Sequence, residues 1–548
     1  MKSLKETVLE YALQNAVFHE GKADPSAVLG KILGAEPELR GKVQEVRKEI
    51  EVAVAKVNAM TPEGQKDALG KKKPALLTKV EKKREALPDV PGAVAGKFVT
   101  RFAPSPTGPL NLGQLLRAAM LPYLYARKYE GKFILRIEDT DAKKIEKRFY
   151  DMIMEDLTSA GIKWDVLVME SGDMKVYHEL AKELIRRKLA YVCTCPAEDF
   201  KALKEKKEDC ACRGMKDSVK KFSKMLSGGY AEGEATVRMK TSMSHPNPAM
   251  RDPPMVRVCD ANHPVVGDRY KVWPLYNFAC AIEDHRQGVT HIFRGKEHEH
   301  NTSVQKLFYD AFGWDMPSVV NFGMVYLPGT KIHTRDMKQW IAEGKAKGWD
   351  DPMLPTVRAL LRRGFQPEAL RKFAEDVGIT KNDIRVGWEN IEGINRKIID
   401  PIADRFMAVI DPVEISIAGA PGIREAEVHV HPDFPERGSR SIPVDLHRVY
   451  VPGDDFRHLE GKTVRLMGLG NMKLGKKSEY AGNEIAHGMQ KIQWTSRPGV
   501  ELSLLTPEGK KEGLGEPGLA KLAIGTMIQL ERIGFGRVDS VDGSKVTI

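Results

Sequence analysis

The sequence predicts a multidomain protein with a helical N-terminal region, an α/β centre and an all-β C-terminal region. The chain has 548 residues, too many for a single hydrophobic core. From Lys97 onward the pattern runs strand, loop, helix, strand, which is the repeating unit of a parallel sheet. After Asp411, short Val- and Ile-rich runs alternate with Gly, Pro and Asp. That sequence pattern is typical of a β-sandwich or β-barrel.

Composition narrows the class of protein. Hydrophobic residues make up 42% of the chain and charged residues 29%, as in globular proteins. The formal net charge of +11 favours a polyanionic partner such as nucleic acid, and a merely basic enzyme is an equal alternative. The first residues mix Lys and Glu among apolar positions, and no stretch is apolar for the length of a bilayer. We therefore expect a cytoplasmic protein without a membrane partner.

The N-terminal region, residues 1–95, is predicted to be a helical appendage followed by a basic linker. Leu4, Val8 and Tyr11 mark one face of its first helix. From Gly70 lysines accumulate, and a Pro/Gly-rich stretch follows. The basic run is either a solvated hinge or an RNA-binding segment.

The α/β centre is predicted in two halves, residues 96–192 and 266–330. The segments KFVTRFA and FILRIE are predicted to be strands, and the chain between them, from Asn111 to Tyr129, is predicted to be a helix. Between the two halves, residues 193–265 break the alternation of strands and helices; they contain a cysteine cluster and predicted short strands.

Residues 331–410 are predicted to be helical and residues 411–548 to be all-β. Within the β region the segment GNMKLGKK, residues 470–477, has the spacing of a phosphate-binding P-loop. It lacks the Ser or Thr that would hold Mg²⁺. We therefore predict a glycine-turned hairpin there.

The segment from Arg101 to Gln114, RFAPSPTGPLNLGQ, combines a strand end, a Pro/Gly loop and a helix start. A helix N-terminus preceded by small residues presents backbone N–H groups to phosphate. Gly108 and Gly113 would let a ligand approach the backbone closely. An ordinary βα turn is the alternative interpretation of the pattern.

This segment resembles the signature R-F-x-P-S-P-T-G-x-L-H-x-G-H of the class I glutamyl- and glutaminyl-tRNA synthetases, whose last four letters hold ATP. The resemblance, to the archaeal and eukaryotic glutamyl type, covers nearly the whole chain. It implies a Rossmann-like catalytic domain split by an acceptor-end-binding insertion, then a helical stem-contact region and C-terminal anticodon-binding β-barrels. The residues that it implies here are Arg101, Pro104, Ser105, Thr107 and Gly108 for substrate and Asn111, Gly113 and Gln114 for catalysis.

Two further blocks resemble the family's amino-acid pocket. In RIEDTD the resemblance implies that Glu138 and Asp139 bind substrate, and an acidic group is what an α-ammonium requires. A negatively charged loop is the alternative. In the block YNFACAIEDHRQGVTHIFRGK it implies Tyr276, Asn277 and Arg294. Either Arg294 or Arg101 would bind a carboxylate, because an arginine fork pairs with it bidentately.

The family's mobile K-M-S-K-S loop aligns with residues 331–336, so the resemblance implies catalytic roles for Lys331 and Arg335. Asp336 stands where the family has its second lysine, and Asn111 and Gln114 stand where it has two histidines. Asn and Gln keep hydrogen-bond donors but carry no charge.

Four of the six cysteines form two close pairs, Cys193-x-Cys195 and Cys210-x-Cys212. Four thiols in a reducing compartment are a natural set of ligands for structural zinc. Two pairs of buried free cysteines are the alternative.

By resemblance, the protein joins L-glutamate to tRNA(Glu) in a reaction that consumes ATP with Mg²⁺ and proceeds through a glutamyl-adenylate. The sequence leaves open whether tRNA(Gln) is a second partner. It also leaves two alternatives: a paralogue that binds tRNA or amino acid without activating it, and a glutamine–tRNA ligase.

Overall fold

The computed structural model describes residues 4–19, 21–35, 43–74, 87–329 and 333–548. The chain divides into two compact units, Met1–Glu85 and Ala86–Ile548. Among the described helices, none combines the length and the apolar character that crossing a bilayer requires.

The first unit is a bundle of helices, as the sequence predicts. Its core is aliphatic, with Val8, Ile50 and Leu69 fully or almost fully buried. The last helix begins at a capping residue, Thr61, whose hydroxyl accepts the amide N–H of Gly64 at 3.2 Å. The helices are α1 (Leu4–Phe18), α2 (Pro25–Ala35), α3 (Val43–Asn58) and α4 (Pro62–Lys72).

The second unit alternates strands and helices up to the start of its β-rich end. In chain order its elements over residues 87–329 are β1 (Val99–Phe102), α5 (Leu121–Lys128), β2 (Lys132–Ile137), α6 (Lys147–Ser159), β3 (Val166–Met169), α7 (Met174–Arg186), β4 (Ala190–Cys193), α8 (Ala197–Lys206), α9 (Ser218–Leu226), β5 (Thr236–Met239), β6 (Pro254–Val258), β7 (Val272–Pro274), α10 (Tyr276–Arg286), β8 (His291–Gly295), α11 (Glu299–Phe312), β9 (Ser318–Phe322) and β10 (Val325–Tyr326).

The central sheet is parallel, as predicted. β1, β2 and β3 pair in parallel, and so do β8 and β9. The amide N–H of Thr290 donates to the carbonyl oxygen of Val99 at 2.9 Å, which sets β8 beside β1. β1-β2-β3 and β8-β9 are separate hydrogen-bonded sheets. With β8 beside β1 the strands lie in the order β3-β2-β1-β8-β9, so the chain proceeds outward in opposite directions from β1 and from β8. In open α/β sheets, ligands bind outside the carboxyl ends of the strands at such a point.

The helix that follows β1 starts at Leu112 and runs through a π-helical segment, Gln114–Met120, into α5. It packs its apolar face on the sheet through Leu115, Leu116 and Phe133. The chain then turns at Gly131, where a Cβ would lie 2.1 Å from the carbonyl oxygen of Phe98. Only glycine fits this close approach, which brings β2 into register with β1.

An antiparallel sheet, β4-β5-β6-β7, interrupts the parallel one. Its strands span Ala190 to Pro274, somewhat more than the predicted 193–265. Its core is continuous with α7, α9, α10 and α11 through residues such as Phe222, Trp273 and Phe308.

The remaining elements are four helices and one strand up to Ile399, followed by mostly short strands and a fifth helix. They are α12 (Thr334–Ala342), α13 (Val357–Arg362), α14 (Pro367–Val377), β11 (Ile384–Arg385), α15 (Trp388–Ile399), β12 (Asp404–Phe406), β13 (Ala408–Ile410), β14 (Pro412–Ala418), β15 (Glu425–His429), β16 (Ser439–Pro443), β17 (Val449–Pro452), α16 (Gly453–Leu459), β18 (Thr463–Leu466), β19 (Gly470–Lys473), β20 (Lys477–Tyr480), β21 (Lys491–Ile492), β22 (Thr495–Ser496), β23 (Val500–Thr506), β24 (Gly509–Gly515), β25 (Met527–Leu530), β26 (Gly534–Arg537), β27 (Ser540–Asp542) and β28 (Lys545–Thr547).

Two sequence predictions for residues 331–548 have different outcomes in the structure. The helical prediction is wrong over 404–410, where β12 and β13 form by pairing with β25 and β24, more than a hundred residues away. The predicted hairpin at residues 470–477 is present as antiparallel β19 and β20.

The expected β-barrels stay unconfirmed. The hydrogen-bonded sheets within residues 404–548 are open rows: β21-β18-β19-β20-β14-β17-β22, β13-β24-β23-β28-β27, β12-β25-β26 and β15-β16.

Candidate active site

A cavity of about 430 Å³ lies at the carboxyl ends of β1 and β8. Nine of the predicted site residues line it: Arg101, Pro104, Ser105, Asn111, Gly113, Gln114, Glu138, Tyr276 and Arg294. They come from four separate stretches of sequence, which the parallel sheet brings to one edge. The position is the one that the strand order predicts for a ligand.

Asn111 and Gln114 begin the helix at the mouth of this cavity. The side-chain oxygen of Asn111 accepts the amide N–H of Gln114 at 2.8 Å, and that of Gln114 accepts the amide N–H of Asn111 at 3.2 Å. This is a reciprocal capping box, which satisfies two of the N–H groups that a helix N-terminus leaves open. The two residues that depart from the family signature are therefore partners of each other.

Arg101 is buried beneath the cavity and is already paired. Its Nε donates to Asp284 Oδ1 at 3.0 Å, and Nη1 of the fully buried Arg136 donates to the same oxygen at 2.8 Å. Burial alone would raise the pKa of Asp284, but Arg101 and Arg136 together lower it to about 2. Asp284 therefore stays ionised and shares its charge between two cations.

Arg294 differs from Arg101 in having unsatisfied donors. It is 5% exposed, and its Nη1 donates to Gln305 Oε1 at 2.9 Å. Its Nε and Nη2 have no hydrogen-bond partner in the part of the chain that the structure describes. A buried guanidinium with open donors on a cavity wall is suited to receive an anion.

Glu138 supplies negative charge to the same cavity. Its Oε1 accepts a long hydrogen bond of 3.4 Å from Arg136 Nη2. Burial raises the pKa of this carboxyl, although Arg136 and Arg101 oppose the change. An ammonium group on the cavity side would offset that burial and favour the ionised form.

Four predicted substrate residues do not line the cavity. Asp139 is fully buried and accepts hydrogen bonds from the Ser171 amide and hydroxyl and from the Tyr150 hydroxyl, so it anchors the loop after β2. Asn277 lies behind Arg294, where its oxygen accepts from Gln305 Nε2 at 3.3 Å.

Thr107 and Gly108 belong to the signature loop, and Gly108 lies against another element. A Cβ on Gly108 would lie 2.5 Å from Cγ2 of Thr334 at the start of α12. The glycine therefore permits close packing of α12, whereas the sequence analysis expected it to admit a ligand.

The charged residues predicted to contact the departing pyrophosphate have different positions. Lys331 lies outside the described residues. The Arg335 side chain is 90% exposed, and its only described ion pair is with Asp336 at 3.6 Å. Lys338 forms an ion pair with Glu146 and lies over the ring of Phe149, so it holds α12 against α6.

Two buried residues at the site escaped the sequence analysis. Arg117 lines the cavity, donates to the carbonyl oxygens of Gly323 and Thr380 at 3.2 Å each, and lies 5.0 Å from the ring centroid of Phe322. Burial lowers its pKa to about 10. Asp156 accepts the Leu110 amide N–H at 3.0 Å and so fixes the end of the signature loop. In the sequence, Arg117 and Asp156 each stand among apolar residues, a pattern that predicts only an ordinary amphipathic helix.

The four cysteines of the predicted zinc site come together. Cys193 ends β4, Cys210 precedes a short 3₁₀ turn over Ala211–Gly214, and Cys212 lies within that turn. Their sulfur atoms, with that of Cys195, all lie within 4.8 Å of one another. Three pairs of these sulfur atoms, Cys193–Cys210, Cys195–Cys210 and Cys195–Cys212, are 3.2–3.8 Å apart. A tetrahedron with zinc–sulfur bonds of about 2.3 Å has edges of about 3.8 Å.

Comparison with known proteins gives a consistent result. A family model described as "tRNA synthetases class I (E and Q), catalytic domain" matches residues 97–401. Two models of the anti-codon binding domain of the same class match residues 403–491 and 491–539.

The curated relatives include the glutamate–tRNA ligase of Pyrococcus furiosus, 43% identical over 99% of this chain and 98% of that protein. The ligase of Pyrococcus abyssi is 44% identical over 99% of this chain and 98% of its own length. A crystal structure of a glutamate tRNA ligase from Elizabethkingia meningosepticum, in complex with its amino acid, has a TM-score of 0.41 and 20% identity, and covers 56% of this chain and 70% of that chain. That similarity is too low to transfer structural detail.

Proposed function

The chain belongs to the E and Q group of class I tRNA synthetases, and on that premise we propose that it is a glutamate–tRNA ligase. It attaches L-glutamate to tRNA(Glu), using ATP and forming a glutamyl-adenylate. The resemblance noted in the signature segment is thereby confirmed at the level of the family. Relatives named glutamate–tRNA ligase match over almost the whole chain, which favours this activity over a non-catalytic paralogue or a glutamine–tRNA ligase.

The single observation that carries the choice of amino acid is Arg294. Arg294 is 5% exposed, and its buried Nε and Nη2 have no hydrogen-bond partner among the described residues. Arg101, the other candidate, is held by Asp284. The γ-carboxylate of glutamate supplies the two acceptor oxygens that Arg294 lacks. Glu138, on the same cavity wall, takes the α-ammonium.

The reaction has two steps. An oxygen of the glutamate α-carboxylate attacks the α-phosphorus of ATP, and pyrophosphate leaves. The terminal ribose hydroxyl of tRNA then attacks the acyl carbon, and AMP leaves. The protein positions the reactants and places donors where negative charge grows, at the helix start of Asn111, Gly113 and Gln114. Mg²⁺ bound with ATP would neutralise part of the triphosphate charge. Lys331 and Arg335 are assigned to the departing pyrophosphate.

We assign the other regions on the same premise. Residues 193–265, with the sheet β4–β7 that spans Ala190–Pro274, form the acceptor-end-binding insertion, residues 331–410 contact the tRNA stem, and the β-rich residues 411–548 read the anticodon. The halves 96–192 and 266–330 form the Rossmann-like catalytic domain, and residues 1–95 are an appendage. Whether tRNA(Gln) is also charged is left to the assay.

The cysteine cluster is assigned to structural zinc. The four thiols fill a tetrahedron, so no position is left open for chemistry. The Thr194 amide N–H points to Cys212 Sγ at 3.5 Å, which would stabilise a thiolate. Metal analysis of the purified protein should find one zinc per chain, and Cys195→Ser with Cys212→Ser should remove it. A chain without metal that keeps its thermal unfolding midpoint would contradict the assignment.

ATP–pyrophosphate exchange tests the activity, with tRNA and glutamate present and glutamine as the control amino acid. Arg294→Gln should raise KM for glutamate roughly 10- to 100-fold, because a charge-assisted hydrogen bond contributes about 1.5–3 kcal/mol. The matched control is Arg371→Gln, an exposed arginine whose ion pair with Glu375 spans 3.1 Å.

The exchange and binding assays have three outcomes that would change the proposal. Exchange with glutamine alone would replace glutamate as the substrate. Tight tRNA binding without any exchange would leave a non-catalytic binder. An unchanged KM for glutamate in Arg294→Gln would remove Arg294 from the pocket.

A further inference from the structure

A buried carboxyl group, Glu170, lies against Arg136 next to the candidate site. It follows β3 at the start of a 3₁₀ turn, Glu170–Asp173, and is 1% exposed. The neighbouring Ser171 fixes this turn, because its amide and hydroxyl groups both donate to the fully buried Asp139. Glu170 does not line the cavity, so it can act on a substrate only through other residues.

Glu170 and Arg136 are close but do not satisfy each other. Arg136 Nε lies 3.7 Å from Glu170 Oε1, which is too long for a hydrogen bond. Neither atom has a hydrogen-bond partner among the described residues. Arg136 directs its other nitrogens elsewhere, Nη1 to Asp284 at 2.8 Å and Nη2 to Glu138 at 3.4 Å. Because buried polar atoms normally have partners, a buried carboxyl oxygen without one favours the protonated, uncharged form of Glu170.

The buried cluster around Arg136 contains one more acid than cations. The cations are Arg101 and Arg136, and the acids that pair with them are Asp284, Glu138 and Glu170. With all three acids ionised, the cluster would have one uncompensated negative charge away from water, which is strongly unfavourable. One proton neutralises that charge, and one ammonium group placed at Glu138 does so equally well.

The other charged groups packed around Glu170 do not supply the missing positive charge. Two more buried acids, Asp139 and Glu283, lie near it, and each has donors of its own. These donors are Ser171 and Tyr150 for Asp139, and Tyr177, Gln287 and Arg286 for Glu283. Arg286 is already shared with Asp173 at 2.8 Å, so its charge is not available to Glu170.

These surroundings favour a proton on Glu170. Burial raises the pKa of Glu170 well above its usual range, and Glu138, Asp139 and Glu283 raise it further, although Arg136 opposes the change. Burial also raises the pKa of Glu138. Because the two acids interact, the proton belongs to the pair, and Glu170 is the member that no substrate can reach.

We propose that Glu138 and Glu170 together exchange one proton for the α-ammonium group of glutamate. This inference rests on the proposed function and deepens it, because it makes Glu170 the positioning residue that keeps the cluster neutral without substrate. When the ammonium group reaches Glu138, the O–H bond of Glu170 breaks and the proton passes to water. The bound state then has three cations and three ionised acids, and no other bond changes.

Calorimetric titration of the full chain with glutamate, in pairs of buffers with different ionisation enthalpies, measures the released protons. We expect about one proton per glutamate between about pH 5.5 and 7, a range in which glutamate keeps its own charges. The affinity should therefore rise roughly tenfold per pH unit. Glutamate binding without proton release would overturn the proposal.

The variant Glu170→Gln has nearly the shape of the protonated acid but has no proton to release. Its thermal unfolding midpoint should stay close to that of the wild type. Its affinity for glutamate should not change with pH over this range, and at pH 7 it should be weaker than wild type by roughly tenfold or more. The KM for glutamate should rise more than kcat falls. A variant that keeps the wild-type pH dependence would show that the proton is held elsewhere.

Glu179→Gln is the matched control, because it removes an exposed carboxylate from α7. It should keep the wild-type proton release and affinity for glutamate. Infrared difference spectra between wild type and Glu170→Gln, recorded without substrate, detect the protonated carboxyl directly. If wild-type protein at pH 7 lacks the carbonyl band of a buried carboxylic acid, the proposal is refuted.

ATP–pyrophosphate exchange distinguishes this inference from the proposed function. Normal exchange with glutamate, together with binding that releases no proton, would refute the role of Glu170 and leave the ligase standing. Absence of exchange with every amino acid would refute the ligase, and the infrared band would still decide whether Glu170 holds a proton.

Discussion

Replacing Asp284 with asparagine removes the negative charge that Arg101 and Arg136 share. Asp284 accepts from Arg101 Nε at 3.0 Å, from Arg101 Nη2 at 3.4 Å and from Arg136 Nη1 at 2.8 Å. All three side chains are at most 6% exposed. Breaking a buried ion pair by removing one partner costs about 3–5 kcal/mol, because the other charge is left uncompensated. Here Arg101 loses the one carboxylate that pairs with it among the described residues, whereas Arg136 keeps Glu138 at 3.4 Å and Glu170 at 3.7 Å, so we expect the lower part of that range.

The assay is urea unfolding followed by tryptophan fluorescence, together with ATP–pyrophosphate exchange. Asp151→Asn is the matched control, because Asp151 is exposed on α6 and should change the free energy of unfolding by less than about 0.5 kcal/mol. In Asp284→Asn, kcat/KM for glutamate should fall as well, because Arg101 no longer holds the floor of the cavity.

The pH dependence gives a second test with a definite sign. The pKa of Asp284 is lowered to about 2 in the folded protein, from an unfolded value near 3.9. Its contribution is therefore fully present above about pH 4 and is lost as the pH falls toward 2. The stability difference between wild type and Asp284→Asn should be constant from pH 5 to 8. A difference under 1 kcal/mol, or one that disappears at neutral pH, would refute the shared-charge account.

Three other predictions concern packing, reactivity and RNA binding. Gly108→Ala should slow ATP–pyrophosphate exchange, because its Cβ would lie 2.5 Å from Cγ2 of Thr334. Adding Thr334→Ser, which lacks that methyl group, should restore the exchange rate. An unaffected Gly108→Ala variant would show that α12 can move aside. Burial raises the pKa of Cys280 to about 12, so iodoacetamide at pH 8 should leave it unmodified in the native protein and alkylate it in guanidinium, as peptide mass spectrometry would show. Binding of tRNA should weaken steeply between low and moderate salt, because phosphate contacts release counterions; a flat response in a filter-binding series would contradict an RNA role.

Local sequence signals predicted the scaffold of the site well. The strands around Arg101 and Arg136 follow from short apolar runs, and the turn at Gly131 and the hairpin at 470–477 follow from glycine placement. Each of these features depends on neighbours in the sequence, so pattern and turn chemistry suffice to predict them.

The partners of the charged residues could not be predicted in that way. Arg101 pairs with Asp284 across 183 positions of sequence, and Arg117 donates to carbonyl groups of two loops, at Gly323 and Thr380, each more than two hundred residues away. The structure also shows that the carboxylate oxygens of Asp139 accept hydrogen bonds from other residues of the protein. Residue type alone does not distinguish a substrate ligand from a scaffold anchor, because both are buried polar groups that need partners.

That distinction bears on amino-acid choice. The sequence made Arg101 and Arg294 equivalent candidates, but a guanidinium that already shares a carboxylate gains little from a second one. Arg294 has no described acidic partner and is 5% exposed, so it remains a desolvated cation until a ligand brings a negative charge. Glutamate brings that charge, whereas the side-chain amide of glutamine brings one acceptor oxygen and no charge. A site that leaves a buried charge unpaired rejects the wrong ligand more strongly than an apolar pocket can. We therefore expect discrimination between the two amino acids to depend on Arg294, which, like Arg117, has no carboxylate partner among the described residues.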